Sequence, residues 1–416
     1  MEELEPLVPS DSKDIDNVKQ FSLVSVMAAT NNFSDENKLG KGGFGPVYKG
    51  ILPGGQEIAV KRLSRDSKQG SAQFYNERLI AKQQHRNLVR LLGYCIEGEE
   101  KMLIYEFMPN RSLEDVLFAP AGRKMLDWNK RCKIIEGIVQ GLDYLHRHSR
   151  LNMVHRDLKA SNILLDDDMN PKISNFGTAR IFEPNASEAY TSELIGTRGY
   201  MPPEYVMEGA YSQKTDVYSF GVLLLEIVSG QRNISNDRAM DLVNYARQLW
   251  REGKGLELVD PAVRDPHSTT QMLRCIHVAL LCLQTSDERP EISDVCSMLN
   301  SQTGDLPNPN PRPFGLGTTG DREGKKGQAR DVEVSGGKTA DKEVPPRRGS
   351  GETGPASGIT GDRGGKKVKP LEVGASGTTG DLPNPNPRPF GTSGEPGSCS
   401  ALLLERWKAG QDEMRI

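Results

Sequence analysis

The chain has 416 residues, with 53 basic and 56 acidic side chains and a formal net charge of −3. That balance argues against a nucleic-acid-binding or membrane-surface protein held by a basic face. Residues 301–416 hold 22 of the 43 glycines and 13 of the 26 prolines, a composition that disfavours a packed core, so the globular part is expected within the first 300 residues.

In chain order, Met1-Glu2-Glu3-Leu4-Glu5 is acidic, without the apolar stretch of a signal peptide, and Glu2 excludes N-myristoylation. Residues 1–33 read as a polar start and a short amphipathic lead-in, closed by a turn at Asn31-Asn32-Phe33-Ser34. Val47–Ile51 and Glu57–Lys61 flank Pro53-Gly54-Gly55, which predicts a hairpin. Phe74–Gln84 has helical spacing, and Leu88–Cys95 and Lys101–Phe107 predict two more strands. From Asn129 onward helices dominate, with apolar repeats around Ile134–Leu145, Val217–Val228, Met272–Leu283 and Ile292–Leu299. No run approaches the length that spans a bilayer. The six cysteines include no Cys-x-x-Cys pair and sit mostly in apolar runs, as expected of thiols in a reducing compartment.

The domains expected are therefore a lead-in over 1–33, a folded domain over 34–302 and a Gly/Pro-rich disordered tail over 303–416. Within that tail, Thr303–Gly315 recurs identically as Thr379–Gly391. Two polar copies are too few for a solenoid, and their alternating prolines do not form P-x-x-P. Duplication within a disordered extension is the simplest reading, and a docking motif is the alternative.

Three segments carry chemistry. Gly40-Lys41-Gly42-Gly43-Phe44-Gly45 is a G-x-G-x-x-G, which lets backbone N–H groups approach phosphates closely; alone it is weak evidence. Lys61 follows Ala59-Val60 fourteen positions after Val47, where a strand lysine reaches phosphates and Glu77 on the next helix can pair with it. The decisive segment is His155-Arg156-Asp157-Leu158-Lys159-Ala160-Ser161-Asn162. There Asp157 suits a proton acceptor, Lys159 a neutraliser of phosphoryl charge, and Asn162 a metal ligand.

With these motifs, residues 21–315 resemble the cytoplasmic kinase domain of plant receptor-like kinases, in the S-locus/lectin-type and cysteine-rich groups. Asn37-Lys38-Leu39-Gly40, Gln84–Val89, Met108–Leu113 and Asp216–Gly221 carry the likeness. The resemblance implies an α+β, two-lobed protein kinase fold with a small β-rich lobe and a larger helical lobe. It implies ATP, Mg²⁺ or Mn²⁺, and transfer of the γ-phosphate to protein Ser/Thr. Leu39, Gly40, Gly42, Gly45, Val47, Ala59, Lys61, Glu106, Met108 and Leu164 would line the nucleotide site, with Tyr105 as gatekeeper. Asp157, Lys159, Lys61 and Glu77 would be catalytic, and Asn162 and Asn175 would occupy the metal positions. Asp216 would support the catalytic loop, and Glu204 would pair with Arg289. Arg156 would read a phosphate on the activation loop, with Thr191 as the aligned acceptor and Thr197 near the substrate hydroxyl; Ser187, Tyr190 and Ser192 would be further loop hydroxyls. Partners would be protein substrates or partner kinases, with association with membrane receptor kinases. The location would be cytoplasmic, peripheral to the plasma membrane through such partners. The family normally carries an ectodomain and a membrane span, which this sequence lacks; a cytoplasmic form, a truncated product and a fragment all fit.

Four positions depart from the family pattern. Asn175 stands where the Asp of Asp-Phe-Gly binds metal, offering a single neutral carbonyl oxygen. The Glu77–His85 stretch is one residue short, which would rotate a helix by about 100° and predicts poor contact between Glu77 and Lys61; Arg78 and Gln84 also sit where apolar residues are expected. Arg198 replaces an aromatic, and Pro202 a small residue. Two functions stay open: a Ser/Thr kinase, and a pseudokinase that binds nucleotide and acts as a scaffold or allosteric partner for active kinases.

Overall fold

The computed structural model describes residues 18–43, 45–64, 73–78, 83–149, 151–182, 188–235, 240–301 and 304–310. The second copy of the tail repeat and Ser187 lie outside these residues.

The smaller lobe is built on a six-stranded sheet. Its strands are β1 (Lys19–Gln20), β2 (Lys38–Gly42), β3 (Gly45–Ile51), β4 (Glu57–Arg62), β5 (Leu91–Glu97) and β6 (Glu100–Glu106), in the order β1-β5-β6-β4-β3-β2. Strand alternation sorts β4 cleanly. Ile58 and Val60 are fully buried against Phe21, Val26, Met102 and Ile104. Ala59 and Lys61 project from the opposite face. The lead-in is part of this lobe: β1 pairs with β5, and helix α1 (Leu23–Ala29) adds Val26 to the core. Asn31, Asn32 and Phe33 all adopt positive φ, which makes the turn expected there. Gly45 is required as glycine, because at φ +131° a Cβ would fall 2.0 Å from the Arg62 carbonyl oxygen.

Helix α2 covers residues 73–78. Gln83 and Gln84, expected at the end of this helix, are not helical. Strand β5 begins at Leu91 rather than Leu88, which instead bridges to Ile173.

The larger lobe holds α3 (Leu113–Leu117), α4 (Pro120–Arg123), α5 (Trp128–Asp143), α6 (Pro203–Glu208), α7 (Gln213–Ser229), α8 (Leu242–Arg251), α9 (Thr269–Cys282) and α10 (Ile292–Asn300). Short strands β7 (Met153–Val154), β8 (Ile163–Leu165), β9 (Pro171–Ile173), β10 (Arg180–Ile181), β11 (Ala189–Tyr190) and β12 (Ala210–Tyr211) form three two-stranded ribbons, β7 with β10, β8 with β9 and β11 with β12. Helix α7 is the axis of this lobe: every residue from Thr215 to Ser229 is buried. Ser212 caps its start and Gly230, at φ +64°, ends it. Helix α8, with Leu242, Val243, Ala246 and Leu249 buried, was not anticipated. Beyond α10, residues 304–310 run along the lobe surface. Leu306 packs on the core, the Pro307 carbonyl oxygen lies 2.8 Å from His277 Nε2, and Arg274 donates to the Gly304 carbonyl.

A buried ionic cluster ties the start of α5 to the end of α7. Asp260 is fully buried and accepts from Arg131 Nη2 at 2.6 Å, Arg123 Nε at 2.6 Å and the Ala262 N–H at 3.0 Å. Burial by itself would raise this carboxyl; Arg123, the Ala262 amide and Arg131 together hold it at about 2. Arg131 is also fully buried, so removing the carboxylate strands its charge. Asp260→Ala is expected to lower unfolding free energy by about 3–5 kcal/mol in urea titration; a loss below about 1 kcal/mol would contradict this account of the cluster.

Candidate active site

The site lies where the strand lysine, helix α2, the segment after β7 and the segment after β9 converge. Lys61 Nζ donates to Glu77 Oε1 at 2.7 Å, and both side chains are almost wholly buried. The shortened spacing therefore does not separate them. Phe74, one turn before Glu77, is fully buried, and Asn76 donates to the Gly177 carbonyl at 3.0 Å. The start of α2 thus keeps its register, and the missing residue falls beyond Glu77. Arg78 is accommodated by laying its guanidinium 4.1 Å from the Tyr94 ring centre, and Gln84 is exposed. Tyr105 donates its hydroxyl to Glu77 Oε2, and its own acidity is suppressed by burial first and by the Glu77 charge second.

The catalytic-loop segment hangs from α7. Asp216 is fully buried and accepts from the His155 and Arg156 amides at 2.7 and 2.9 Å, with His146 Nε2 at 2.9 Å from the same carboxylate. Burial pushes this carboxyl up, yet the hydrogen bond from His146 and the charges of His146 and His155 outweigh it and hold it below its ordinary value. With the loop fixed, Asp157 Oδ1 accepts from Thr197 Oγ1 at 2.6 Å. Lys159 Nζ lies 2.7 Å from the same hydroxyl and 3.2 Å from Asp157 Oδ2. Asn162 Nδ2 donates to Asp157 Oδ2 at 2.9 Å and to the Asp157 carbonyl at 2.7 Å.

Asn175 takes a left-handed conformation, φ +65° and ψ +64°, which asparagine tolerates better than most residues. Its amide is used at both ends: Oδ1 accepts from Lys61 Nζ at 3.1 Å, and Nδ2 donates to Asn162 Oδ1 at 3.4 Å. Phe176, next along, is buried with its ring edge on His155. As a magnesium centre this pair fits poorly. Mg²⁺ takes hard oxygen donors, usually including one or two carboxylates, whereas Asn162 and Asn175 offer neutral carboxamides.

The remaining expected residues sit on strands β2, β3, β4, β6 and β8 and just after β6. Register pairs Val47 with Gly40 and with Lys61, and Ala59 with Tyr105. Leu39, Val47, Ala59 and, from β8, Leu164 are half-buried; Gly42 is exposed and Met108 buried. Glu106 Oε1 accepts from the Arg90 amide at 2.8 Å and from Lys172 Nζ at 3.0 Å, which fixes the connection between lobes.

In and around the activation segment, residue patterns singled out Arg156, Thr191, Glu204, Arg289, Arg198 and Pro202 but not Arg180. Arg156 is buried at φ +69°, donates to the Tyr205 hydroxyl at 2.8 Å and lies 4.7 Å from the Tyr211 ring centre. Arg180 faces it: burial, then the Arg156 charge, pushes its guanidinium pKa down. Thr191 directly follows β11, its amide donating to the Gly209 carbonyl at 3.0 Å. Glu204 and Arg289 pair at 2.7 Å. Pro202, one of the departures, caps the start of α6, and Arg198 is exposed.

A lysine–glutamate pair on the sheet, a carboxylate held beside a hydroxyl and a lysine, and a glycine-rich strand turn above them define the protein kinase class. The protein kinase domain family matches residues 33–298, and the chain belongs to that family. It is 55% identical to cysteine-rich receptor-like protein kinase 25 of Arabidopsis thaliana over 307 residues, 73% of this chain and 46% of that protein. It is 59% identical to the G-type lectin S-receptor-like serine/threonine-protein kinase B120 of the same plant over 298 residues, 71% of this chain and 35% of that protein. A third relative, cysteine-rich receptor-like protein kinase 10, is 55% identical over 70% of this chain and 44% of its own length. The chain thus spans less than half the length of these relatives. It is similar to part of each of these plant receptor-like kinases. Among the described residues no helix is long and apolar enough to cross a membrane.

The loop after Thr197 is held to α7 through a second buried acid. Glu226 accepts from the Tyr200 hydroxyl at 2.6 Å and from the Asn233 amide at 2.8 Å, while Asn233 Nδ2 donates to the Gly199 carbonyl at 2.8 Å. Burial raises Glu226 to about 7, opposed by those hydrogen bonds and by Arg232, and supported by Glu114. The folded state therefore keeps a proton that the unfolded chain loses near the ordinary carboxylate value. Its stabilising contribution is full in acid and declines as pH rises towards about 7. In Glu226→Gln the melting temperature should lose this decline between pH 5 and pH 8; an unchanged pH slope in the variant would refute the assignment.

Proposed function

We propose that the chain binds ATP in the cleft between the lobes and directs its γ-phosphoryl group to Ser or Thr hydroxyls of protein substrates in receptor-type signalling. The supporting observation is the Thr197–Asp157–Lys159 cluster, in which a carboxylate receives a threonine hydroxyl at 2.6 Å with an ammonium 2.7 Å from the same oxygen. A substrate hydroxyl in that place gives its proton to Asp157 as its oxygen bonds to the γ-phosphorus and the bond to the ADP oxygen breaks. Lys159 offsets charge on the transferring group. Lys61, positioned by Glu77, anchors the α and β phosphates. Leu39, Val47, Ala59, Met108 and Leu164 enclose the base, Glu106 belongs to the hinge beside it, and Gly40, Gly42 and Gly45 bring backbone over the phosphates. Phosphate on Thr191 would be read by Arg156 and Arg180, which would draw the activation segment into register.

Asn175 favours a second reading: a nucleotide-binding scaffold that acts through partner kinases. A unit charge pair about 4 Å apart is worth roughly 4 kcal/mol at an effective dielectric near 20, about a thousandfold in rate if fully expressed. Phosphotransfer by the purified chain, with Mg²⁺ and with Mn²⁺, separates the readings. Asn175→Asp is expected to raise the rate at least about tenfold, and Asp157→Asn to abolish it. Turnover in the wild type that survives Asp157→Asn would refute the assigned base. Silence in both wild type and Asn175→Asp would favour the scaffold.

A further inference from the structure

We propose that this chain holds a nucleoside di- or triphosphate without a divalent cation, the fixed Lys61 ammonium taking the place of the metal at the phosphates. The proposal rests on the cleft being a nucleotide site, but not on turnover.

The two positions that would supply metal ligands face one another as neutral carboxamides. Asn175 turns its carbonyl oxygen to Lys61 Nζ at 3.1 Å and its NH₂ towards Asn162 Oδ1 at 3.4 Å. The Asn162 oxygen thus already accepts from an amide donor. Asn162 is itself tied down, with Nδ2 donating to Asp157 at 2.9 Å. The Asp157 carboxylate beside them already receives the Thr197 hydroxyl, the Asn162 amide and the Lys159 ammonium. Mg²⁺ sheds its water reluctantly and needs oxygen donors in octahedral array, so an amide pair closed on itself is a weak competitor for the ion.

Charge points the same way. An aspartate at position 175 would face the incoming phosphates as a second anion beside Lys61, and a dication would be needed to hold the two anions together. Asparagine removes that repulsion. Lys61 pairs with Glu77 at 2.7 Å and receives a dipole rather than a charge from Asn175. Its ammonium is held from two sides and therefore pre-oriented for phosphate oxygens. Cation and nucleotide affinity, coupled in a site with an aspartate there, come apart in this one.

The test is calorimetric titration of the full chain with ADP and with ATP, in EDTA and in excess Mg²⁺, on wild type, Lys61→Ala and Asn175→Asp. The expected result is wild-type affinity equal within about threefold in the two media, lost in Lys61→Ala. Asn175→Asp should bind at least about tenfold more tightly with Mg²⁺ than in EDTA. Wild-type binding that Mg²⁺ tightens tenfold or more overturns the proposal while leaving the nucleotide site intact. Binding unaffected by Lys61→Ala overturns the role given to that lysine. No binding in either medium overturns the nucleotide-site reading itself. The wild-type comparison decides the main point even if a variant fails to fold.

Discussion

The geometry of this site depends on one buried carboxylate. Asp216 lies fully enclosed at the start of α7 and accepts two consecutive backbone amides, those of His155 and Arg156, with His146 on its other side. A charge so placed is tolerable only when every lone pair is engaged, so the loop that engages it has little freedom to move. Helix α7, buried on all faces, makes the anchor rigid. From it Asp157, Lys159 and Asn162 are aimed together, and His155 carries the ring on which Phe176 rests. The positive φ of Arg156 is the strain this arrangement sustains.

The upper lobe meets that anchored loop through a chain of polar contacts: Glu77 to Lys61, Lys61 to Asn175, Asn175 to Asn162, Asn162 to Asp157. In a site with aspartate at position 175 this chain would carry an extra negative charge and call for a cation. Here it closes with neutral amides. The Lys61–Glu77 contact and the burial of Phe176 are kept, while the charge at position 175 is absent. Shape and charge are separable because the asparagine is nearly isosteric with the aspartate and accepts the same left-handed backbone.

The lobe edges show how neighbouring chain joins the domain. The segment before β2 adds a parallel strand and a helix whose Val26 completes the upper core. The segment after α10 is fastened by Leu306 in the lower core and by backbone carbonyls that meet Arg274 and His277. Both are bound by a few apolar anchors and main-chain hydrogen bonds, which makes their composition a poor guide to where folding stops.

Much was legible in the sequence. Strand alternation in Glu57–Lys61, the apolar run of α7, the glycine turn and the spacing within His155–Asn162 report local rules of period and residue chemistry, which do not need the rest of the chain. The Asn175 substitution was equally plain. Other features required atoms brought from far apart. The Lys61–Glu77 contact, expected to be poor, forms because Phe74 and Asn76 fix α2 from its other side. Arg180 acquires meaning only when it meets Arg156, and Glu226 only when Tyr200 and Asn233 cover it. The sequence by itself determined the class of protein and its two-lobed fold, because these follow from motif and periodicity. Tertiary structure alone decided which groups touch, which charges are buried and that the two asparagines face each other, because burial and pairing depend on long-range packing that no local pattern encodes.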